Sequence, residues 1–204
     1  YKETSIITIA TGGYNAHDLV KSLRSTGRWK KNIYIYQDKC TPNEIDTKKI
    51  FLNNTKIGLN AKLYKMDILK NTTEKYVLFL DSDIVVKKDI DKFFQSIGVW
   101  KEECDAYMPH DIWYSKKFKI NGGIIFAKRG KSERFLKLWK ENILDKNYRH
   151  NKDQPALKRI VEDKLVNICM IDNDKIGYLP DGTGRLRTVR TEIFQHALKY
   201  KINK

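Results

Sequence analysis

The chain has 204 residues, 41% of them hydrophobic, which is enough for one domain with a single core. Its 40 Lys and Arg residues against 25 Asp and Glu residues give a net charge of +15, which is compatible with a nucleic-acid binder, a partner of anionic membranes or an enzyme for anionic substrates. No apolar run approaches the ~20 residues of a membrane span, and no helix-turn-helix, zinc-finger or RNA-binding aromatic signature occurs, so we expect no transmembrane segment and no specific nucleic-acid partner.

Strand and helix patterns alternate along the first half of the chain, which predicts a parallel sheet with crossover helices. The alternation is less regular in the second half of the chain. There, two apolar runs, 166–171 and 176–179, predict a hairpin with its turn at 172–174. The predicted strands are 5–10, 32–36, 76–80, 105–109 and 122–128, and the predicted helices are 17–25, about 59–69, 89–97, 132–144 and one that opens at Lys152.

The three cysteines, Cys40, Cys104 and Cys169, lie far apart in the sequence. Their number and spacing match neither a disulfide framework nor a zinc site. This pattern favours a reducing compartment, so we expect a cytoplasmic location.

The segment Asp81-Ser82-Asp83 follows an apolar run that reads as a strand buried on both faces. In an extended backbone, side chains two residues apart point the same way, so Asp81 and Asp83 could both reach one cation, with Ser82 turned away. Hard oxygen ligands suit Mn²⁺ or Mg²⁺, which proteins usually share with substrate phosphates. A solvated turn between strand and helix is the alternative. The same spacing at 89–91 and 172–174 is explained by a helix start and by a turn.

Two glycine pairs are candidates for close approach of a ligand to the backbone. Thr11-Gly12-Gly13 follows the first strand, beside Tyr14, and lacks the Gly-x-Gly-x-x-Gly pattern of dinucleotide sites; a tight structural turn is the alternative. Asn121-Gly122-Gly123 precedes an apolar strand, where a sugar could lie against the backbone while the amide of Asn121 exchanges hydrogen bonds with it. A bulge at the strand start would also explain this second pair.

Two polar residues near predicted helix or strand termini have both a structural and a functional interpretation. Asp153, next to Gln154 at a helix start, could cap the helix, contact a sugar hydroxyl or act as a base. His196 has apolar neighbours, so it could be a core histidine or a metal ligand.

In this order along the chain, the segments 11–13, 77–83, 121–126 and 153–157, followed by a late histidine, resemble the nucleotide-diphospho-sugar glycosyltransferases of the GT-A fold, in particular their glycogenin-like branch. The resemblance covers residues 5 to about 198. It implies a Rossmann-like α/β fold with a mixed, mainly parallel sheet flanked by helices in a single domain. The small size and the many lysines also resemble the capsid-glycan glycosyltransferases of large DNA viruses, which would place the protein in the host cytoplasm.

The resemblance also implies roles for individual residues. Asp83 would bind Mn²⁺, Asp81 would share the metal or hold the ribose, and His196 would complete the metal shell, although Ala197-Leu198-Lys199 departs from the family's glycine and Lys-Pro-Trp-like ending. The remaining expected contacts are Thr11, Gly12, Gly13, Tyr14, Asp38 and Ser82 for the nucleotide, Lys62, Arg185 or Arg187 for the diphosphate, Asn121, Gly122, Asp153 and Gln154 for the donor sugar, and Asp153 or Asp111 as the base of an inverting reaction.

The resemblance therefore predicts a metal-dependent hexosyl- or deoxyhexosyltransferase that moves a sugar from a UDP-sugar to a hydroxyl of a glycan or glycoprotein. Residues 1–100 would form the nucleotide-binding half and residues 101–204 the half for donor sugar and acceptor. A sugar-phosphate nucleotidylyltransferase would share the fold and the metal, but it needs an Arg- and Lys-bearing glycine-rich first loop that this chain lacks. A basic nucleic-acid-binding module would explain the charge but not the aspartate pair at the strand end.

Overall fold

The structure, a computed structural model, describes residues 1–12, 14–39, 41–52, 59–110, 120–147, 152–171 and 193–196, with the backbone alone for 59–61 and 195–196. Its strands are β1 (Thr4–Ala10), β2 (Ile33–Gln37), β3 (Lys48–Phe51), β4 (Tyr76–Leu80), β5 (Ile84–Val86), β6 (Ala106–Pro109), β7 (Ile124–Lys128), β8 (Ile168–Ile171) and β9 (Phe194–His196). Its α-helices are α1 (His17–Arg24), α2 (Leu59–Tyr64), α3 (Asp91–Ile97), α4 (Glu133–Leu144) and α5 (Asp153–Glu162), and a 3₁₀ turn, Lys65–Asp67, follows α2.

Seven strands form one mixed sheet in the order β3-β2-β1-β4-β7-β6-β8, and β5 pairs with β9 in a second, two-stranded sheet. In the large sheet the pairs of β1 with β2, β1 with β4, β2 with β3 and β6 with β8 are parallel, whereas β7 is antiparallel to both of its neighbours. The predicted fold class, a mixed and mainly parallel sheet flanked by helices in one domain, is confirmed. Because β7 runs the other way, its first residue lies at the edge where β1 and β4 end.

The core lies on both faces of this sheet. Along β1, successive residues alternate between the two faces, so Ile6 packs in one cluster and Ile7 in the other. The first cluster contains α1 and α3 side chains such as Leu23 and Phe93, and the second contains Trp139 of α4 and residues of α5. Helices on both sides explain why β1, β2 and β4 read as continuous apolar runs.

Three short strands and one helix end differ from the sequence prediction. The strands β3, β5 and β9 were not predicted, because three or four residues are too few for a periodic pattern to emerge. The predicted helix 59–69 ends at Tyr64 and tightens into the 3₁₀ turn. One arm of the predicted hairpin is β8, which pairs in parallel with β6, and the turn and the other arm lie outside the described residues.

The prediction that the cysteines form no disulfide is wrong. Cys104 and Cys169 are bonded, with their Cα atoms 5.6 Å apart. They are 65 residues apart in sequence, and they meet because β6 and β8 are parallel neighbours, which brings Cys104, two residues before β6, next to Cys169 in β8. Because disulfides persist mainly in oxidising compartments, this bond removes the cysteine-based argument for a cytoplasmic location.

Among the described residues, no helix combines the length and the apolar character needed to cross a membrane. Many of the lysines are exposed, for example Lys21, Lys30 and Lys49. Other lysines form ion pairs with surface carboxylates, as Lys131 does with Glu102. This distribution agrees with a positive charge spread over a solvated surface.

Candidate active site

A cleft of about 270 Å³ opens where β1 and β4 end. Open α/β sheets bind ligands at this edge, beyond the carboxyl ends of their strands. The segments that reach the cleft are the ends of β1 and β4, the loops that follow them, the helical segment 62–65 and the first turn of α5. The lining residues are Ile9, Thr11, Tyr14, Lys62, Lys65, Phe79, Asp81, Ser82 and Asp153.

The segment from Asp81 to Asp83 is a turn and not an extension of β4. The Ile84 N–H donates to the Asp81 carbonyl at 3.1 Å, which closes the turn, and the Asp81 N–H donates to the Gly123 carbonyl at 2.9 Å. The extended geometry expected from the sequence is therefore wrong, and so is the orientation of Ser82, which lines the cleft together with Asp81. In a tight turn the side chains of successive residues do not alternate between two faces as they do in a strand, so Ser82 need not point away from Asp81.

Lys65 is the buried cation of the cleft, with 8% of its side chain exposed. Its Nζ donates to the Gly122 carbonyl at 2.9 Å and lies 3.2 Å from Asp81 Oδ1 and 3.7 Å from Asp153 Oδ2. Burial alone would lower the pKa of Lys65, but the nearby carboxylates, Asp81 foremost, outweigh it and raise the pKa above its ordinary value. The ammonium group therefore stays charged and holds the end of β4 next to the start of α5.

Asp153 lies in the first turn of α5, where it is buried. Lys62 Nζ donates to its Oδ1 at 2.8 Å, and Lys65 lies at its Oδ2. Burial opposes the ionisation of Asp153, but Lys65 and then Lys62 overcome it and hold the pKa of the carboxyl below its usual value. A carboxylate with a lowered pKa and two cationic partners is a good acceptor for sugar hydroxyls and a weak proton acceptor in catalysis.

The residues just before β7, 121–123, are connected to Asp153 by Lys65, which contacts the Gly122 carbonyl and the Asp153 carboxylate. Asn121 Oδ1 accepts a hydrogen bond from the Gly123 N–H at 2.7 Å, so its side chain shapes this turn. A Cβ atom on Gly122 would lie 3.2 Å from the Trp139 ring and 3.5 Å from Gln154 Oε1, which leaves little room for any side chain. Gln154 Oε1 is buried and has no hydrogen-bond partner among the described residues, while Gln154 Nε2 donates to the Ile120 carbonyl.

The loop after β1 is fixed from β2. The Gly12 N–H donates to Asp38 Oδ2 at 2.7 Å, and Gly12 has φ of 67°, a left-handed conformation that favours glycine. Asp38 itself is buried, and it contacts the loop through the N–H of Gly12, next to the lining residue Thr11. Thr11 and Tyr14 line the cleft on either side of this glycine, and 51% of Tyr14 is exposed.

The expected metal ligands are brought together in part. Asp81 and Asp83 belong to one turn, and the backbone of His196 pairs with that of Ile84, the residue after Asp83. Within the described part of the chain, no group of three or more His, Cys, Asp or Glu side chains is arranged to hold a metal ion. Gly13, Asp111, Arg185 and Arg187 lie outside the described residues.

Sequence reasoning missed Lys65, which contacts three of the expected site residues, Asp81, Gly122 and Asp153. A signal was present, because Lys62 and Lys65 are three residues apart in a helical segment and such residues share a face. The same face carries both cations to Asp153. Phe79, whose ring lies 4.8 Å below Lys65 Nζ, was also missed, since its position in β4 suggested only core packing.

Comparisons with known proteins identify the family of this chain and support its fold. Residues 30–200 match a family described as nucleotide-diphospho-sugar transferase, and a sequence comparison with curated proteins finds no match. The fold resembles the apo form of the glycosyltransferase GlyE from Streptococcus pneumoniae TIGR4, with a TM-score of 0.53 and 15% identity. That alignment covers 84% of this chain but 45% of GlyE, so the chain spans less than half of that protein. Because the family match extends over most of the sequence, this chain belongs to the nucleotide-diphospho-sugar transferases, with a fold of the GT-A glycosyltransferase type.

Proposed function

We propose that this chain transfers a hexose or deoxyhexose from a UDP-sugar to a hydroxyl group of a glycan or glycoprotein, with Mn²⁺ or Mg²⁺ as its cofactor. One observation supports this most directly. Lys65 joins Asp81, at the end of β4, to Asp153, at the start of α5, in a cleft at the carboxyl edge of the sheet. A charged cluster at this edge suits a ligand that carries both a diphosphate and a sugar.

Asp81 and Asp83 have the donor chemistry that a hard divalent cation needs, and His196 is close in the backbone pairing. These three residues would hold the ion. When bound, such an ion acts as a Lewis acid on the diphosphate and stabilises the negative charge of the leaving group. Of the three expected ligands, the side chains of Asp81 and Asp83 are described. The proposed metal requirement is therefore supported by the preference of hard divalent cations for carboxylate oxygens.

The first half of the chain would bind the nucleotide and the second half the sugar. Thr11 and Tyr14 form the wall for the nucleoside, with Ser82 and Asp81 beside it. Lys62 and Lys65 offer positive charge to the diphosphate, while Asp153 accepts from sugar hydroxyls. Asn121, Gly122 and Gln154 are not among the described residues that line the cleft, and we connect them to the sugar side through Lys65, whose Nζ joins the Gly122 carbonyl to Asp153.

The low pKa of Asp153 argues against this residue as the base that takes the acceptor proton. Its two oxygens already face Lys62 and Lys65, so it is more suited to orienting the sugar. This geometry favours proton transfer to the leaving diphosphate, which fits a retaining reaction. In an inverting reaction the base would be another carboxylate, and Asp111 is the remaining candidate.

The proposal is tested by incubating the chain with a panel of UDP- and GDP-sugars and Mn²⁺, and measuring release of the nucleoside diphosphate with and without a chelator. We expect release from a UDP-sugar, its loss with the chelator, and its loss in Asp83→Ala. Asp91→Ala, which removes an exposed carboxylate at the start of α3, is the matched control and should retain activity. Release of pyrophosphate from UTP and a sugar phosphate would instead favour a nucleotidylyltransferase.

A further inference from the structure

A buried polar cluster behind the cleft connects the loop after β1 to the end of β2. Thr41 is buried, and its Oγ1 lies 2.8 Å from the Ala10 carbonyl and 2.7 Å from Asp38 Oδ1. The other oxygen of Asp38 accepts the Gly12 N–H at 2.7 Å. Both oxygens of one buried carboxylate are therefore engaged, one by the threonine hydroxyl and one by the backbone of the loop.

The arrangement fixes the loop from two sides. Thr41 has a single hydroxyl proton, which the Ala10 carbonyl and Asp38 share as acceptors. The Thr41 N–H also donates to the Asp38 carbonyl at 3.3 Å, so Thr41 contacts Asp38 through its backbone as well as its side chain. Ala10 is the last residue of β1 and Gly12 is two residues further on, so the contacts bracket the point where the chain leaves the sheet.

The consequence for the cleft follows from the position of Gly12. Its neighbour Thr11 lines the cleft, and the Tyr14 N–H donates to the Thr11 carbonyl, so a change of conformation at Gly12 would shift Thr11 and Tyr14, the two residues proposed to form the nucleotide wall. A left-handed φ is readily lost by a glycine whose N–H is not held, because glycine also populates negative φ. The carboxylate of Asp38 thus selects one conformation of the loop before any ligand arrives.

We propose that Thr41 and Asp38 are positioning residues that hold Gly12 in place and so preform the nucleotide wall of the cleft. The proposal rests on the proposed function for its effect on nucleotide binding. It changes the role expected for Asp38, which acts through Gly12 and not by direct contact with the nucleotide, and it assigns a role to Thr41. Preorganisation of this kind increases affinity because the loop is already ordered when the ligand binds.

The experiment compares Thr41→Val, which has the same shape without the hydroxyl, with Thr41→Ser, which keeps the hydroxyl. Two quantities are measured: hydrogen exchange of the Gly12 amide in the ligand-free protein, and UDP affinity with Mn²⁺ by calorimetry. In Thr41→Val, and in Asp38→Ala, which removes the acceptor of the Gly12 N–H, we expect Gly12 exchange to accelerate and UDP affinity to fall, each by about tenfold, the scale of one lost hydrogen bond. Thr41→Ser should restore both values.

Ser132→Ala is the matched control, because Ser132 is a fully buried hydroxyl at the opposite edge of the sheet, bonded to the Asp105 carbonyl at 2.6 Å. It should lower the melting temperature without changing Gly12 exchange or UDP affinity. Wild-type exchange and affinity in Thr41→Val, or equal effects in Ser132→Ala, would overturn the proposal. If the wild-type chain binds no nucleoside diphosphate, the proposed function fails, and Gly12 exchange in Thr41→Val still decides whether the loop is held in this way.

Discussion

Lys65 and Asp81 form an ion pair at the base of the cleft, with Nζ 3.2 Å from Oδ1. The lysine side chain is almost completely buried, whereas about one third of the Asp81 side chain is exposed, so the carboxylate faces the cleft while its partner lies beneath it. The same ammonium group reaches Asp153 and the Gly122 carbonyl. One cation therefore connects the turn after β4, the start of β7 and the start of α5.

Replacing Lys65 with methionine should damage both stability and turnover. The substitution replaces the apolar stem of the lysine and removes the ammonium group, which leaves Asp81 and Asp153 without their shared cation, and removing one member of a buried ion pair costs about 3 kcal/mol. Lys70→Met is the control, because Lys70 pairs with Asp67 from an exposed position and should cost less than about 1 kcal/mol. Urea unfolding of the two variants measures the difference, and equal losses would contradict the role given to Lys65.

The fold and the region of the site could be predicted from local patterns. Buried strands gave apolar runs such as 76–80, and the acidic turn after β4 was recognisable because two aspartates follow such a run directly. The position of Asp153 in the first turn of a helix could also be predicted from the sequence. These features depend on residues that are close in sequence, so periodicity and turn chemistry were enough to find them.

The features that were missed depend on contacts between distant parts of the chain. Lys65 gains its role from Gly122 and Asp153, and its spacing from Lys62 shows only that the two lysines share a helix face, not which distant residues they contact. The disulfide depends on the pairing of β6 with β8, so the spacing of the cysteines alone gave the opposite answer. The predicted orientation of Ser82 was wrong because the backbone at 81–83 forms a turn and is not extended as the prediction assumed.

The disulfide should contribute strongly to stability. A bond between residues 65 apart restricts the unfolded chain, and the loop-entropy relation gives about 4 kcal/mol for that length. Cys104→Ser and Cys169→Ser should each lower the free energy of unfolding, and the double variant should lose no more than the worse single variant. Thiol titration of the unfolded, unreduced chain should find one free thiol of the three. Three free thiols would contradict the pairing.

The stability of the chain should depend on pH through Asp153. Its pKa is lowered in the folded state from an ordinary value of 3.8, so its stabilising contribution is present above that value and is lost as the pH falls through the lower folded pKa. Lys62→Met should raise the pKa of Asp153 and reduce stability at neutral pH by at most about 1 kcal/mol, because Lys62 is partly exposed.

The measurement for this prediction is urea unfolding of the wild type and Lys62→Met between about pH 7 and pH 3. The difference between the two proteins should shrink as the pH falls below 3.8. Lys158→Met, which removes a lysine paired with Glu162 on the surface of α5, should differ little from the wild type. A difference that is constant over the whole range would mean that Lys62 acts through packing and not through the charge of Asp153.

The pairing of β9 with β5 leads to a prediction about the metal. The backbone of His196 lies opposite Ile84, one residue after Asp83, so the late histidine and the acidic turn are neighbours in the fold although they are far apart in sequence. Removal of a metal ligand should weaken cation affinity and, through it, diphosphate binding, whereas removal of a group that acts on the sugar should lower turnover at saturating metal. His196→Ala should therefore raise the Mn²⁺ concentration needed for half-maximal activity by at least about tenfold.

Asp153→Asn and Gln195→Ala separate this effect from other kinds of damage. Asp153→Asn removes a charge from the part of the cleft that we propose binds the sugar, so it should reduce turnover while the Mn²⁺ requirement stays close to that of the wild type. Gln195→Ala changes the neighbouring residue of the same strand and should leave both quantities unchanged if the pairing of β9 with β5 survives. Titration of all three variants with Mn²⁺ and one donor measures the requirement. A wild-type Mn²⁺ requirement in His196→Ala would mean that the histidine contributes to the packing of β9 and that the cation is held by the aspartate turn without it.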